Sequence, residues 1–138
     1  MHMNMLPDAI QHERINLLED AVTLLKNQGG YDFAVHDLPN YTEPDSLIIP
    51  VLNVPMQPDI LAHHPQHAGP TVAFVEVSTD LGEESCGRRW QAFDNWARLH
   101  QGKLKVFVHP EDQSRATAIA RHWHIDPDSI VPIERKRH

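Results

Sequence analysis

Thr71-Val72-Ala73-Phe74-Val75-Glu76-Val77-Ser78 is the stretch that decides the fold. It is β-branched and apolar on both faces, the pattern of a strand covered by helices on each side of a sheet. Residues 71–78 are therefore expected to form a central strand. Upstream, residues 57–62 read as a short strand, and His63-His64-Pro65-Gln66-His67-Ala68-Gly69-Pro70 makes the turn between the two. Downstream, a helix is expected over residues 83–101, with Cys86, Trp90, Phe93 and Ala97 as its buried stripe and Gly102 as its stop. A strand follows at 103–109, where Leu104, Val106 and Val108 share a face, then a helix at 111–123 and a short closing strand at 129–133.

The N-terminal part reads as a helix over about residues 8–27. Ile10, Leu17, Leu18, Ala21, Leu24 and Leu25 fall on one face, and Gly29-Gly30 ends it. Residues 31–38 alternate as a strand. Between Pro39 and Pro58 stand five prolines, each lacking a ladder donor, so a central strand is excluded there. A long connection is expected, with one extended piece at 46–51 on an edge. Leaving aside that piece and the closing strand, the order is α-β-β-β-α-β-α, an α/β arrangement.

At 138 residues and 41% apolar content, the chain suits a single domain over residues 1–138 with a buried core. A lone cysteine, Cys86, rules out a disulfide framework and suits a reducing, cytoplasmic setting. Residues 1–8 lack the basic and apolar regions of a secretory signal, and no apolar run is long enough to span a bilayer, so no membrane partner is expected. The formal net charge is −7, which argues against a broad basic surface for nucleic acid but leaves room for a local patch or a bound cation. The basic run Arg135-Lys136-Arg137-His138 reads as a solvated end.

Glu76 is the odd residue. Within an apolar strand an unpaired carboxylate costs several kcal/mol, so such a group survives paired, protonated or bound to a metal. Asp59 stands 17 residues earlier, at the start of the preceding strand, and a hairpin can bring the two together. Opposed residues of antiparallel strands sit about 5 Å apart. Two carboxylates that close need a cation between them, and an oxygen-rich site selects Mg²⁺, Mn²⁺ or Ca²⁺. Period-2 alternation puts Ser78 on the face of Glu76 and Leu61 on that of Asp59.

Pro58-Asp59, a spacer, then Glu76-Val77-Ser78 resembles the PD-(D/E)XK nuclease superfamily, with its restriction-endonuclease-like fold. The element order resembles that superfamily's αβββαβ core, and Val75-Glu76-Val77-Ser78-Thr79 with Arg89-Trp90 and Phe93 is similar to small prokaryotic members with a Glu-Val-Glu-Thr-like strand. The resemblance implies a mixed sheet of four or five strands and a Mg²⁺- or Mn²⁺-dependent nuclease acting on DNA more than RNA. It implies metal ligands at Asp59, Glu76, the Val77 carbonyl and Glu13 of the first helix. A homodimer is in keeping with cutting both strands of a duplex.

Ser78 stands where the superfamily places lysine, and a hydroxyl supplies no positive charge. In some members the basic residue sits on the following helix, which offers Arg88 and Arg89. Arg89 borders the buried stripe while Arg88 points roughly away, so Arg89 is the better replacement. The catalytic set implied is then Asp59, Glu76, Ser78 and Arg89, with Arg14, Arg88 and Arg89 toward nucleic acid. Two other readings stay open: a relative that kept the fold as a binding or partner module without catalysis, and a zinc hydrolase using His63, His64 or His67 with Asp59. His122 and His124 read as helix-end residues, and Trp90 and Trp96 as core rather than base-stacking residues.

Overall fold

Helix α1 (Met5–Asn27) buries Leu17, Leu18, Ala21, Val22 and Leu25, the face that the apolar spacing requires. The computed structural model describes residues 5–49 and 54–135; residues 50–51 of the expected edge piece and 136–138 of the basic run lie outside them. The helix ends at Gly29, whose φ of +101° suits a residue without a Cβ, and the Gly30 N–H closes back on the Leu25 carbonyl at 2.8 Å.

Strand β1 (Tyr31–Val35) stops three residues short of expectation, because Asp37 takes a left-handed φ of +68° and turns the chain. The proline-rich segment holds more structure than one extended piece. Strands β2 (Leu47–Ile49) and β3 (Val54–Met56) pair antiparallel as a separate two-stranded sheet. Pro55 is tolerated there because each strand of a two-stranded sheet keeps one free edge.

Strand β4 (Ile60–His63) begins later than expected, since Pro58 cannot donate and the ladder opens with the Asp59 N–H on the Ala73 carbonyl. Strand β5 (Thr71–Val75) is buried at every position, helix α2 (Glu83–Leu99) follows, and strand β6 (Lys103–Val108) returns parallel to β5. Helix α3 (Gln113–His122) and strand β7 (Ile130–Pro132) complete the chain.

The main sheet has five strands in the order β1-β4-β5-β6-β7. β1, β4 and β5 pair antiparallel while β5, β6 and β7 pair parallel, so the sheet is mixed. Period-2 alternation divides β5 between two cores. Ala73 and Val75 meet α1, Val35, Ile60 and Phe107; Val72 and Phe74 meet Trp90, Phe93 and Ala97 of α2 with Ile119 of α3. Trp90 and Trp96 belong to the second core, as the stripe reading expects. No helix among the described residues is long and apolar enough to cross a membrane.

The sheet's far end is locked by two glycines. A Cβ on Gly69 would lie 1.9 Å from the His100 carbonyl oxygen, and one on Gly102 would lie 2.0 Å from that of Pro70. Backbone cannot yield to such contacts, so the turn before β5 seats on the end of α2 only with glycine at both places.

Candidate functional site

Because β4 and β5 run antiparallel, the residue before β4 and the residue after β5 emerge at the same end of the sheet. Those residues are Asp59 and Glu76. The register sets Ile60 opposite Ala73, so Asp59 faces Phe74 rather than Glu76, a two-residue offset from direct opposition. Both side chains nonetheless line one cleft of about 490 Å³, together with Arg14, His36, Asp37, Gln57, Asp80 and Arg89.

Each carboxylate is held by one backbone or ring donor and by one arginine. Asp59 accepts the Val75 N–H on Oδ2 at 3.0 Å and Arg14 Nη2 on Oδ1 at 2.5 Å. Arg14 comes from α1 and also lies 3.6 Å from Asp37 Oδ2. Glu76, only 3% exposed, accepts the Trp90 indole N–H on Oε2 at 2.8 Å, and Arg89 Nη2 on the same oxygen. Trp90 and Arg89 are adjacent on α2, so one turn of helix supplies both partners. The Arg89 guanidinium lies over the Phe74 ring, 5.0 Å from its centre.

Burial is the largest influence on both carboxylates and holds both above their ordinary values. Arg14 and the Val75 N–H pull Asp59 back down, and Arg89 and Trp90 pull Glu76 back, without outweighing it. For Arg89, burial works against the cation, but the neighbouring Glu76 carboxylate prevails and the guanidinium holds its proton more firmly than usual. A carboxyl raised on folding binds protons more readily folded than unfolded. Its stabilising contribution is present below its ordinary value and lost as pH rises through the folded one. In metal-free protein, acidification from neutral pH down toward the ordinary carboxylate range is therefore expected to add stability through Asp59 and Glu76. Thermal melts of the wild type and of a double Asp59→Asn, Glu76→Gln variant measure this. Parallel pH profiles in the two proteins would contradict it.

The other expected site residues fall elsewhere. The chain leaves the pleat after Glu76 and curls into a 3-10 turn at Ser78–Asp80, which breaks the alternation that would put Ser78 beside Glu76. Ser78 instead donates its hydroxyl to Asp112 Oδ1 at 2.6 Å, and it does not line the cleft. The Val77 carbonyl accepts the Asp80 N–H at 2.9 Å, and the Val77 side chain is buried. Glu13 lines a separate cleft of about 370 Å³, with Oε1 3.4 Å from His109 Nδ1 and 3.6 Å from Arg135. Arg14, one residue on, is the side chain that α1 sends to Asp59. Arg88 is exposed, pairs with Glu84 one turn earlier at 2.5 Å and lies over the Trp123 ring.

The histidine tract does not join the site. His64 accepts the Gln66 N–H on Nδ1 at 3.1 Å and meets the Gln28 carbonyl through Nε2 at 2.6 Å, so both ring nitrogens are engaged. That pattern fixes the neutral Nε2–H tautomer and leaves no lone pair for a metal. Neither His63, His64 nor His67 lines the cleft of Asp59.

Gln11, His36, Asp37, Gln57 and Asp80 are the polar lining residues that the sequence did not single out. Gln57 precedes Pro58-Asp59 and Asp80 follows Glu76-Val77-Ser78-Thr79, so flanking positions of the two acidic motifs were a usable signal. His36 and Asp37 carried none, since only the β1–β4 pairing brings them near. His36 Nδ1 lies 2.5 Å from Glu43 Oε1 at the rim, and its Nε2 lies 3.3 Å from Asp37. The His36 ring and then the Asp37 N–H hold the Glu43 carboxyl below its ordinary value.

Among the described residues no three His, Cys, Asp or Glu side chains gather as a metal cage. What the cleft offers a cation is a pair of carboxylates, each engaged by an arginine. No family model, no curated protein and no solved structure matches this chain.

Proposed function

We propose that this protein is a Mg²⁺- or Mn²⁺-dependent phosphodiesterase with a restriction-endonuclease-like core, acting on DNA in preference to RNA. The observation that carries the reading is the convergence of Asp59 and Glu76, from antiparallel strands, in a cleft where four carboxylates (Asp37, Asp59, Glu76, Asp80) face two guanidiniums (Arg14, Arg89). That excess of negative charge suits a divalent cation better than a bare phosphate. A pair of carboxylates fits Mg²⁺ or Mn²⁺, which are commonly held by one or two such groups with water and phosphate oxygens completing the shell. The αβββαβ order around a mixed sheet supports the core assignment.

Asp59 and Glu76 would hold the metal, which when bound supplies polarisation of the scissile phosphate and a more acidic bound water. The protein's own groups do the positioning. The Val75 N–H fixes Asp59, the Trp90 N–H aims Glu76, and Arg14 and Arg89 offer forked donors to phosphate oxygens. Arg89 keeps its proton, so its part is charge stabilisation and not base catalysis. Ser78, Arg88, Glu13 and the Val77 carbonyl take no part in this reading, given their contacts elsewhere. A two-fold dimer would present two such clefts to a duplex.

The test is incubation with single- and double-stranded DNA and RNA, with Mg²⁺ or Mn²⁺, beside Asp59→Asn. Cleavage is expected from the wild type and is expected to fall at least about a hundredfold in the variant. Equal cleavage by both proteins would reject the assignment. A second reading is a non-catalytic nucleic-acid-binding module. It is favoured by the arginines already seated on both carboxylates and by serine in the place of lysine; retention of DNA without cleavage in either metal would select it.

A further inference from the structure

Arg14 and Arg89 each sit on one oxygen of the two carboxylates that a cation would use. Arg14 Nη2 is on Asp59 Oδ1, and both donors of α2 converge on Glu76 Oε2. A guanidinium and a divalent ion cannot share those lone pairs at contact distance, so the two compete. Meanwhile Arg89 leaves donor capacity unused. Its Nε is buried and has no hydrogen-bond partner among the described residues, although the side chain as a whole is about one-third exposed to the cleft (35%). A buried N–H without an acceptor is costly, and a guanidinium that swings off Glu76 toward an anionic oxygen in the cleft would gain one. Arg14 is likewise shared between Asp59 and Asp37 instead of being held in a closed bidentate pair.

From this geometry we infer that Arg14 and Arg89 are exchangeable counter-ions: they neutralise Asp59 and Glu76 in the metal-free protein, and are released to bind phosphate when those carboxylates take a divalent cation. The inference rests on the phosphodiesterase reading and adds its regulation. Without cation the arginines are spent on the protein's own carboxylates, and the cleft carries a surplus of negative charge that repels a nucleic-acid backbone. With Asp59 and Glu76 turned to a cation, both forks face the cleft, and its charge no longer opposes a phosphodiester. Cation and nucleic acid therefore strengthen each other's binding by the same factor, as linkage demands. Arg89 is a phosphate-positioning residue in this scheme and also the latch on Glu76.

Calorimetric titration with Mn²⁺ alone, and with a non-cleavable single-stranded oligonucleotide in the presence and absence of Mn²⁺, tests the exchange in the wild type, Arg89→Gln, Arg89→Lys and Arg14→Gln. Arg89→Gln is expected to bind Mn²⁺ about tenfold more tightly than the wild type, while its oligonucleotide affinity in Mn²⁺ falls about tenfold. Arg89→Lys, which keeps a cation beside Glu76, should stay near the wild type for Mn²⁺. Arg14→Gln should repeat the tighter Mn²⁺ binding from the other side of the cleft, a safeguard should Arg89→Gln fold poorly by circular dichroism. Mn²⁺ affinity that is unchanged or weaker in both glutamine variants overturns the exchange while leaving the metal site intact. Absence of Mn²⁺ binding in every protein, variants included, overturns the phosphodiesterase reading itself.

Discussion

Glu76→Ala is expected to lose cleavage by about two to three orders of magnitude and to unfold more easily by about 1–3 kcal/mol. The two losses have different origins. Removing the carboxylate takes away half of the proposed metal pair, while truncation to Ala leaves the Trp90 indole N–H buried without its acceptor. Glu76→Gln separates them. An amide carbonyl still accepts from Trp90, and at neutral pH it replaces a carboxylate that burial disfavours. Glu76→Gln should therefore lose cleavage as Glu76→Ala does, yet melt at or above the wild-type temperature. A Gln variant that cleaves normally would remove Glu76 from the chemistry. A Gln variant as unstable as Ala would mean that the charge itself, not hydrogen bonding, holds the strand end together.

The second large effect belongs to Trp90. Its side chain is fully buried among Phe93, Phe74 and the β5–β6 face of the sheet. Truncation to Ala is expected to cost about 3–5 kcal/mol, a large share of a typical domain's roughly 5–15 kcal/mol. Trp90→Phe keeps most of the ring volume and removes the N–H to Glu76, so it should cost less, about 1–2 kcal/mol. Chemical denaturation of the three proteins gives the ordering wild type, Phe, Ala. If Phe proves as costly as Ala, the polar link to Glu76 outweighs packing, and α2 is held to β5 chiefly by that contact. Because Arg89 rides on the same helical turn, the Ala variant should also scatter the arginine from the cleft.

Much of the architecture was legible because it follows from local periodicity. The β5 stretch is apolar on both faces and is central; the α2 stripe of Cys86, Trp90, Phe93 and Ala97 is buried as its phase requires. The convergence of Asp59 and Glu76 could be read because a hairpin is a short-range structure. What failed to show was set by longer-range events. The β2–β3 pair depends on a partner strand inside a proline-rich segment, where single-strand propensity is weak. The departure of Ser78 from the face of Glu76 depends on a 3-10 turn tied to residues more than thirty positions away, Asp112 and Arg115. The choice between Glu13 and Arg14 turns on how α1 lies against the sheet, and neighbouring residues on a helix differ by about 100° in direction. His36 and Asp37 reach the cleft only through strand pairing, which no local pattern announces.

The bond between Ser78 and Asp112 has a consequence for which substitutions this strand end can accept. Arg115 clasps the Ser78 and Leu81 carbonyls, so the turn after β5 is bolted to the start of α3, and Asp112 Oδ2 is buried there with no partner among the described residues. A lysine arriving at position 78 would meet that carboxylate before it could reach the cleft, and would settle as its counter-ion. Positions 78 and 112 are therefore physically coupled: a positive charge at position 78 is free to serve the cleft only if position 112 changes with it. With that bolt in place, the positive charge at the cleft comes from α1 and α2, through Arg14 and Arg89.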